Sequence, residues 1–182
     1  CKGANWVPHS VTPSETSKAD LRPLLEDAAA AHMNMLRVWG GGLYESDAFY
    51  ELCDELGLLV WQDFAFACAE YPSWDAGFRA EIQREAADNI RRLRHHPSLA
   101  LWCGNNELEM MSVGRGNYTW EEYAPLFDEA LPETCRAHDP QRPYWPGSPH
   151  TPIGDRNHAN DEASGDTHLW SVFFGNQPFE SQ

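Results

Sequence analysis

Residues 99–111 read LALWCGNNELEMM. The apolar run from Leu99 to Cys103 has the length and bulk of a buried strand, and it stops abruptly at Gly104, Asn105, Asn106 and Glu107. Two amides and a carboxyl group at that point either cap the next helix or face a pocket. What flanks the run decides between these readings, and with them the fold.

Similar segments recur along the chain. Gly3 to Val7, Met35 to Trp39, Leu58 to Asp63, Leu99 to Cys103, Pro143 to Pro146 and Thr167 to Val172 all read as short strands rich in bulky apolar residues. Helical patterns lie between most of them. Ser17 to Asp20 forms a capping box that opens a helix running to about His32, with Leu21, Leu24, Leu25 and Ala28 on one face. Ser46 caps a second helix, Asp47 to Leu56, which Gly57 stops in the left-handed manner. Phe78 to Arg94 and Trp120 to Ala137 read as two more.

Strand–helix alternation implies parallel strands joined by crossovers. Two architectures produce it, an open doubly wound sheet and a (β/α)8 barrel. The first strand is not followed by the G-x-G-x-x-G turn of a dinucleotide-binding sheet. Polar and aromatic residues instead crowd several strand ends: Asn5-Trp6, Arg37 to Trp39, Gln62-Asp63, Asn105 to Glu107, Trp145 and His168 to Trp170. Barrel active sites are built there. The expectation is therefore an α/β fold, a (β/α)8 TIM barrel with about six of its eight strands present, because a complete one takes about 250 residues. Residues 1–182 are read as one partial catalytic domain. The chain opens on Cys1 rather than Met and closes on Glu180, Ser181 and Gln182, so it is expected to be a piece of something longer. The stretch from Gly147 to Gly165 reads as a long loop, and such loops are commonly functional or mobile.

Composition removes several partner classes. Lys and Arg number 13 against 28 Asp and Glu, a net charge of -15, which repels nucleic acid and anionic membrane surfaces. No window approaches the roughly 18 to 20 apolar residues of a spanning helix. Eight tryptophans are many for this length; indoles pack cores, and they also form platforms for the apolar faces of sugars. Five cysteines, Cys1, Cys53, Cys68, Cys103 and Cys135, show no C-x-x-C pair. They read as free thiols and point to a reducing compartment such as the cytoplasm.

Glu107 follows a strand nearly devoid of charge, where partial burial is expected to raise its pKa and let it donate a proton near neutral pH. Asn106 beside it can bond a sugar hydroxyl; the plain alternative is that both cap a helix. Arg37 sits among residues expected to be buried, so it needs a carboxylate. It either keeps a nucleophilic carboxylate ionised or forms a structural ion pair with Asp63 or Glu45. Gly40, Gly41 and Gly42 lack the Lys-Ser/Thr of a nucleotide loop and read as close backbone approach. His150, His158 and His168 have no compact metal-ligand spacing, so neither a metal nor a cofactor is expected. There is no G-x-S-x-G elbow, and Cys103 is too apolar in setting for a nucleophile.

Three long stretches carry a specific resemblance: Asn34 to Glu45, NMLRVWGGGLYE; Phe49 to Phe64, FYELCDELGLLVWQDF; and His96 to Glu107, HPSLALWCGNNE. With Lys2 to Trp6 and Gly165 to Trp170, they resemble the β-mannosidases of glycoside hydrolase family 2. The resemblance implies a retaining exo-hydrolase of terminal β-mannose, with β-mannoside oligosaccharides as partners. It assigns Glu107 as acid/base and Asn106 as the amide that contacts the sugar 2-hydroxyl. It places Arg37, Trp39, Asp63 and His168 around the first subsite, with Trp145 and Trp170 as walls. The family's nucleophilic glutamate belongs to a seventh strand beyond the His168 to Trp170 segment, and Glu180, in a loop-like tail, is not assigned that role. The segment alone is thus expected to be inactive and to self-associate through an open barrel edge. β-Galactosidase or β-glucuronidase specificity, or a non-catalytic sugar-binding barrel, remain the alternatives. The family includes cytoplasmic, secreted and lysosomal members, so the compartment stays open.

Overall fold

The computed structural model describes residues 1–178, and Glu180 lies outside them. Five parallel strands, β1 (Gly3–Trp6), β2 (Met35–Val38), β3 (Leu59–Asp63), β4 (Leu99–Cys103) and β5 (Tyr144–Trp145), lie side by side in the order of the sequence. Helix α1 (Lys18–Ala30) connects β1 to β2, α2 (Asp47–Leu56) connects β2 to β3, and α3 (Ala76–Leu93) connects β3 to β4. Between β4 and β5 runs α4 (Trp120–Ala124), a π-helical stretch (Pro125–Ala130) and α5 (Leu131–His138).

The helix boundaries follow from local chemistry. Asp20 reaches back to accept from the Ser17 amide at 2.9 Å, closing the expected capping box. Gly57 ends α2 at φ 69°, a conformation that costs a residue without Cβ nothing. Asp75 accepts from the Phe78 amide at 2.7 Å and starts α3 two residues before the expected position. Pro125 and Pro132 each lack the amide hydrogen that an α-helix interior uses, and the widened π turn lies between them. The pattern reading of one regular helix from Trp120 to Ala137 missed that widening.

The core lies on one face of the sheet. Leu36, Val38, Val60 and Trp102 are buried there with Leu21 and Leu25 of α1, Phe49 and Leu52 of α2, Ile90 and Leu93 of α3, and Leu131 and Cys135 of α5. Side chains alternate across a strand, so Met35, Arg37, Trp61 and Leu101 point to the other face and stay partly exposed, and Leu59 is 42 % exposed. Parallel sheets are ordinarily covered on both faces.

The sheet corrects the expected architecture. Among the described residues it has five strands, not six, and its outer strands β1 and β5 are not paired with each other, so these residues form an open parallel sheet and not the expected six strands of a (β/α)8 TIM barrel. Residues 167–172 make no strand. The Asn160 side chain bonds both the N–H and the C=O of His168, at 2.7 and 3.0 Å, and the Phe174 amide turns back onto the Trp170 carbonyl at 2.9 Å. With those groups engaged locally, no ladder forms. β5 is short because Pro143 and Pro146 flank it and have no N–H to give.

Candidate functional site

The polar end of LALWCGNNELEMM is held in place by continuation of the β4 ladder. The Asn106 amide donates to the Phe66 carbonyl at 2.9 Å, the Cys68 amide to the Asn106 carbonyl at 3.0 Å, and the Glu107 amide to the Ser148 carbonyl at 2.8 Å. Gly104 is needed because a Cβ there would stand 2.1 Å from the Pro146 carbonyl oxygen. Gly40, likewise, has the Phe66 carbonyl oxygen 2.5 Å from where its Cβ would be, as the close-approach reading expected. Glu107 adopts φ 65°, a left-handed conformation that costs a non-glycine residue about 1–2 kcal/mol. Such outliers gather where surrounding structure fixes a functional side chain.

Arg37, Asp63, Asn106, Glu107, His168 and Trp170 come together at the carboxyl ends of β2, β3 and β4. Arg37 forks onto Asp63 through Nε (3.1 Å) and Nη2 (2.8 Å), and Nη2 also donates to Asn106 Oδ1 at 3.0 Å. Asp63 accepts further from the Gly40 amide and Trp61 Nε1, at 3.0 and 2.9 Å. Burial opposes the charge on Arg37, but the facing Asp63 carboxylate outweighs it and the guanidinium titrates above its ordinary range. Of the two partners considered from sequence, Asp63 is the one used; Glu45 instead accepts from Trp6 Nε1 at 3.0 Å.

Glu107 is buried, and its carboxylate meets three donors. His168 Nδ1 lies 2.6 Å from Oε1, Trp170 Nε1 lies 3.3 Å from Oε1, and the Cys68 thiol lies 3.6 Å from Oε2. Among the described residues none of these partners is a carboxylate. The hydrogen bond from His168, working against partial burial and helped by Trp170 and Cys68, holds the Glu107 carboxyl below its ordinary range. This reverses the sequence expectation of a raised pKa. Burial does act in that direction, but it loses to a donor 61 residues away in sequence, which no local reading weighs.

Trp39 and Trp145 make their contacts with other residues. The Trp39 ring lies over Gly41, so close that a Cβ on Gly41 would collide with it. Trp145 donates from Nε1 to Asp166 Oδ1 at 2.8 Å. With Trp61, Leu101, Pro143, Gly165 and Asp166 it lines a cavity of about 290 Å³.

Four residues with roles near the site carried little or no signal in the sequence. Cys68 touches both Asn106 Nδ2, at 3.2 Å, and Glu107, from a loop with no motif. Ser148 and Asp166 stand behind His168. Glu109 is the fourth, and its position two residues after Glu107 was the only available clue. It is buried between His150 Nδ1 (3.0 Å), Arg156 Nη2 (2.6 Å) and the Tyr123 hydroxyl (2.9 Å). Arg156 continues to Asp128, with both contacts at 2.8 Å. This network pins the 147–165 stretch down. Among the described residues no group of three or more His, Cys, Asp or Glu is placed to hold a metal ion, and all five cysteines are free.

No family model matches the chain. It is 39 % identical to β-mannosidase B of Aspergillus fumigatus over 191 residues, covering 97 % of this chain and 22 % of that protein. The structure of a β-D-mannosidase from Dictyoglomus thermophilum superposes with a TM-score of 0.86 at 44 % identity, over 99 % of this chain and 22 % of the other. β-Glucuronidase 3 of Bacteroides uniformis shares the fold, with a TM-score of 0.58 and 23 % identity over 71 % of this chain and 16 % of its own. By name these proteins are β-mannosidases and a β-glucuronidase, and the fold is shared with them. Among these, the chain belongs to the β-mannosidase family. It spans about a fifth of the length of the curated relatives it matches.

Proposed function

We propose that this chain supplies the acid/base side of the catalytic site of a retaining exo-β-mannosidase of glycoside hydrolase family 2. The observation that carries the reading is Glu107 itself, held in a left-handed conformation at the end of β4, beside an amide anchored on a buried ion pair. Glu107 protonates the leaving glycosidic oxygen and later takes a proton from water. Asn106, oriented by Arg37, bonds the sugar near the reacting carbon, and Asp63, Trp39, His168, Trp145 and Trp170 shape the subsite around it.

Double displacement needs a second carboxyl group about 5 to 5.5 Å from the first. That nucleophile is proposed to lie outside the described residues, on a part of the catalytic domain of which residues 1–182 are one portion. The half-exposed face with Met35, Trp61 and Leu101 supports this, since it offers a surface for the remainder to cover. The 182-residue chain alone is then inactive.

Assay of the full-length enzyme with nitrophenyl β-glycosides of mannose, galactose and glucuronic acid tests the specificity, and preference for either of the latter two overturns it. Glu107→Gln is expected to lower kcat/KM by about 10²- to 10⁴-fold on poor leaving groups and much less on nitrophenolate, whose departure needs no acid. Retention of turnover on poor leaving groups rules Glu107 out.

A further inference from the structure

Glu107 is tied to a chain of hydrogen bonds that ends on a second carboxylate. His168 Nδ1 meets Glu107 Oε1 at 2.6 Å, and on the far side of the ring Nε2 meets Ser148 Oγ at 2.9 Å. Ser148 Oγ donates to Asp166 Oδ2 at 2.6 Å. Asp166 is fixed in turn, its Oδ1 accepting from Trp145 Nε1 at 2.8 Å and the His150 amide at 3.2 Å. Ser148 is buried and locked to the β4 extension at both backbone groups, accepting from the Glu107 amide and donating to the Asn105 carbonyl. The two ends of the chain are thus anchored to one another, and the imidazole between them has its orientation set.

We propose that Asp166 and Ser148 are positioning residues that hold His168 as a latch on Glu107, and that a bound sugar opens the latch by taking the His168 hydrogen bond, so that ligand binding is coupled to uptake of a proton by Glu107. The proposal rests on the functional reading above in one respect: the sugar occupies the space beside His168. The proton comes from solvent and ends on a Glu107 carboxylate oxygen, which becomes more basic once its strongest donor has turned to the ligand. Binding energy thereby places the proton where the leaving group needs it, only when substrate is present.

The charges around the latch are consistent with it. Arg37 Nη1 lies 3.4 Å from His168 Nε2 and is neutralised by Asp63. Asp166 reaches the ring only through Ser148, and on the side of the residues after β3 the Cys68 thiol faces the other Glu107 oxygen. Burial together with the Glu107 charge raises the Cys68 pKa, which keeps the thiol a neutral donor.

The test uses the full-length enzyme and p-nitrophenyl 1-thio-β-D-mannoside, which resists hydrolysis. Titration calorimetry in two buffers of different ionisation heat measures protons taken up on binding. Wild type is expected to take up close to one proton per site above the free-enzyme pKa of Glu107, and His168→Asn much less. In turnover, kcat/KM reports free enzyme and kcat the complex, so the basic limb of kcat/KM lies below that of kcat in wild type. Ser148→Ala moves it upward toward kcat, each pH unit being worth about tenfold in kcat/KM on that flank. Binding without proton uptake, or identical limbs in wild type and Ser148→Ala, overturns the latch. A ligand-free measurement separates this from the choice of sugar: the Glu107 carboxyl band in infrared difference spectra against Glu107→Gln titrates higher in Ser148→Ala if the latch exists, and unchanged if it does not.

Discussion

Asp63 is the residue on which the site's geometry rests. Its side chain is fully buried, the Arg37 side chain is 11 % exposed, and Asp63 accepts from Arg37, Gly40 and Trp61 at once. Removing one partner of a buried pair leaves an uncompensated charge, which costs about 3–5 kcal/mol. Asp63→Asn is therefore expected to lower the unfolding free energy of the full-length enzyme by an amount in that range, read from denaturant titration. Arg37→Met combined with Asp63→Leu should recover part of the loss, and full stability in Asp63→Asn alone would show that the pair is dispensable. The pair was legible in the sequence, since an arginine inside MLRVW needs a carboxylate and Asp63 ends the neighbouring strand. The position of Asn106 and Glu107 at a strand end was legible too, as polar residues ending an apolar run. The ionisation of Glu107 was not, because it is set by His168, and sequence distance hides that donor.

At the scale of elements, the long polar stretch 147–165 is a packed segment and not a free loop. Glu109 clamps it from below through His150 and Arg156, and the Thr151 hydroxyl donates to the His158 carbonyl at 2.8 Å. Burial pushes the Glu109 carboxyl up, and its bonds from His150 and Arg156 pull it down further, for a net lowering. A folded-state pKa below the unfolded one contributes stability that is present above the unfolded value, about 4.3, and is lost as pH falls through the folded value. Acid should therefore release this segment. Hydrogen-exchange protection in 147–165, taken relative to the unfolded chain at each pH, is expected to fall as acid carries Glu109 through its lowered folded-state value in wild type and to be low at neutral pH in Glu109→Ala. Equal protection in both would dismiss the clamp. Strand and helix positions were largely readable from apolar periodicity, with ends off by one or two residues. The supposed sixth strand failed because its apolar pattern says nothing about where the His168 backbone groups go, and a side chain eight residues earlier takes them.

For the whole molecule, the decisive fact is asymmetry: α1, α2, α3 and α5 bury one face of the sheet while Met35, Leu59, Trp61 and Leu101 on the other meet solvent. Gly3 to Asn5 in the outer strand β1 are exposed as well. Unpaired edges and apolar patches drive association. Residues 1–182 expressed alone are expected to elute from a sizing column as oligomers or aggregates, and a monodisperse monomer would contradict this. The alternation of strands and helices revealed the parallel sheet. It did not reveal how many strands close ranks, because closure depends on long-range geometry that the spacing of apolar residues leaves open.

The order β1-β2-β3-β4-β5 repeats the order of synthesis. Each strand that leaves the ribosome finds its neighbour already in place, so the sheet can grow by addition at one edge and never requires a later strand to be inserted between earlier ones. Chains also tend to fold from the amino terminus during translation. A nascent polypeptide would thus assemble the Arg37–Asp63 pair before Glu107 is made, and the carboxyl group would enter surroundings already prepared for it.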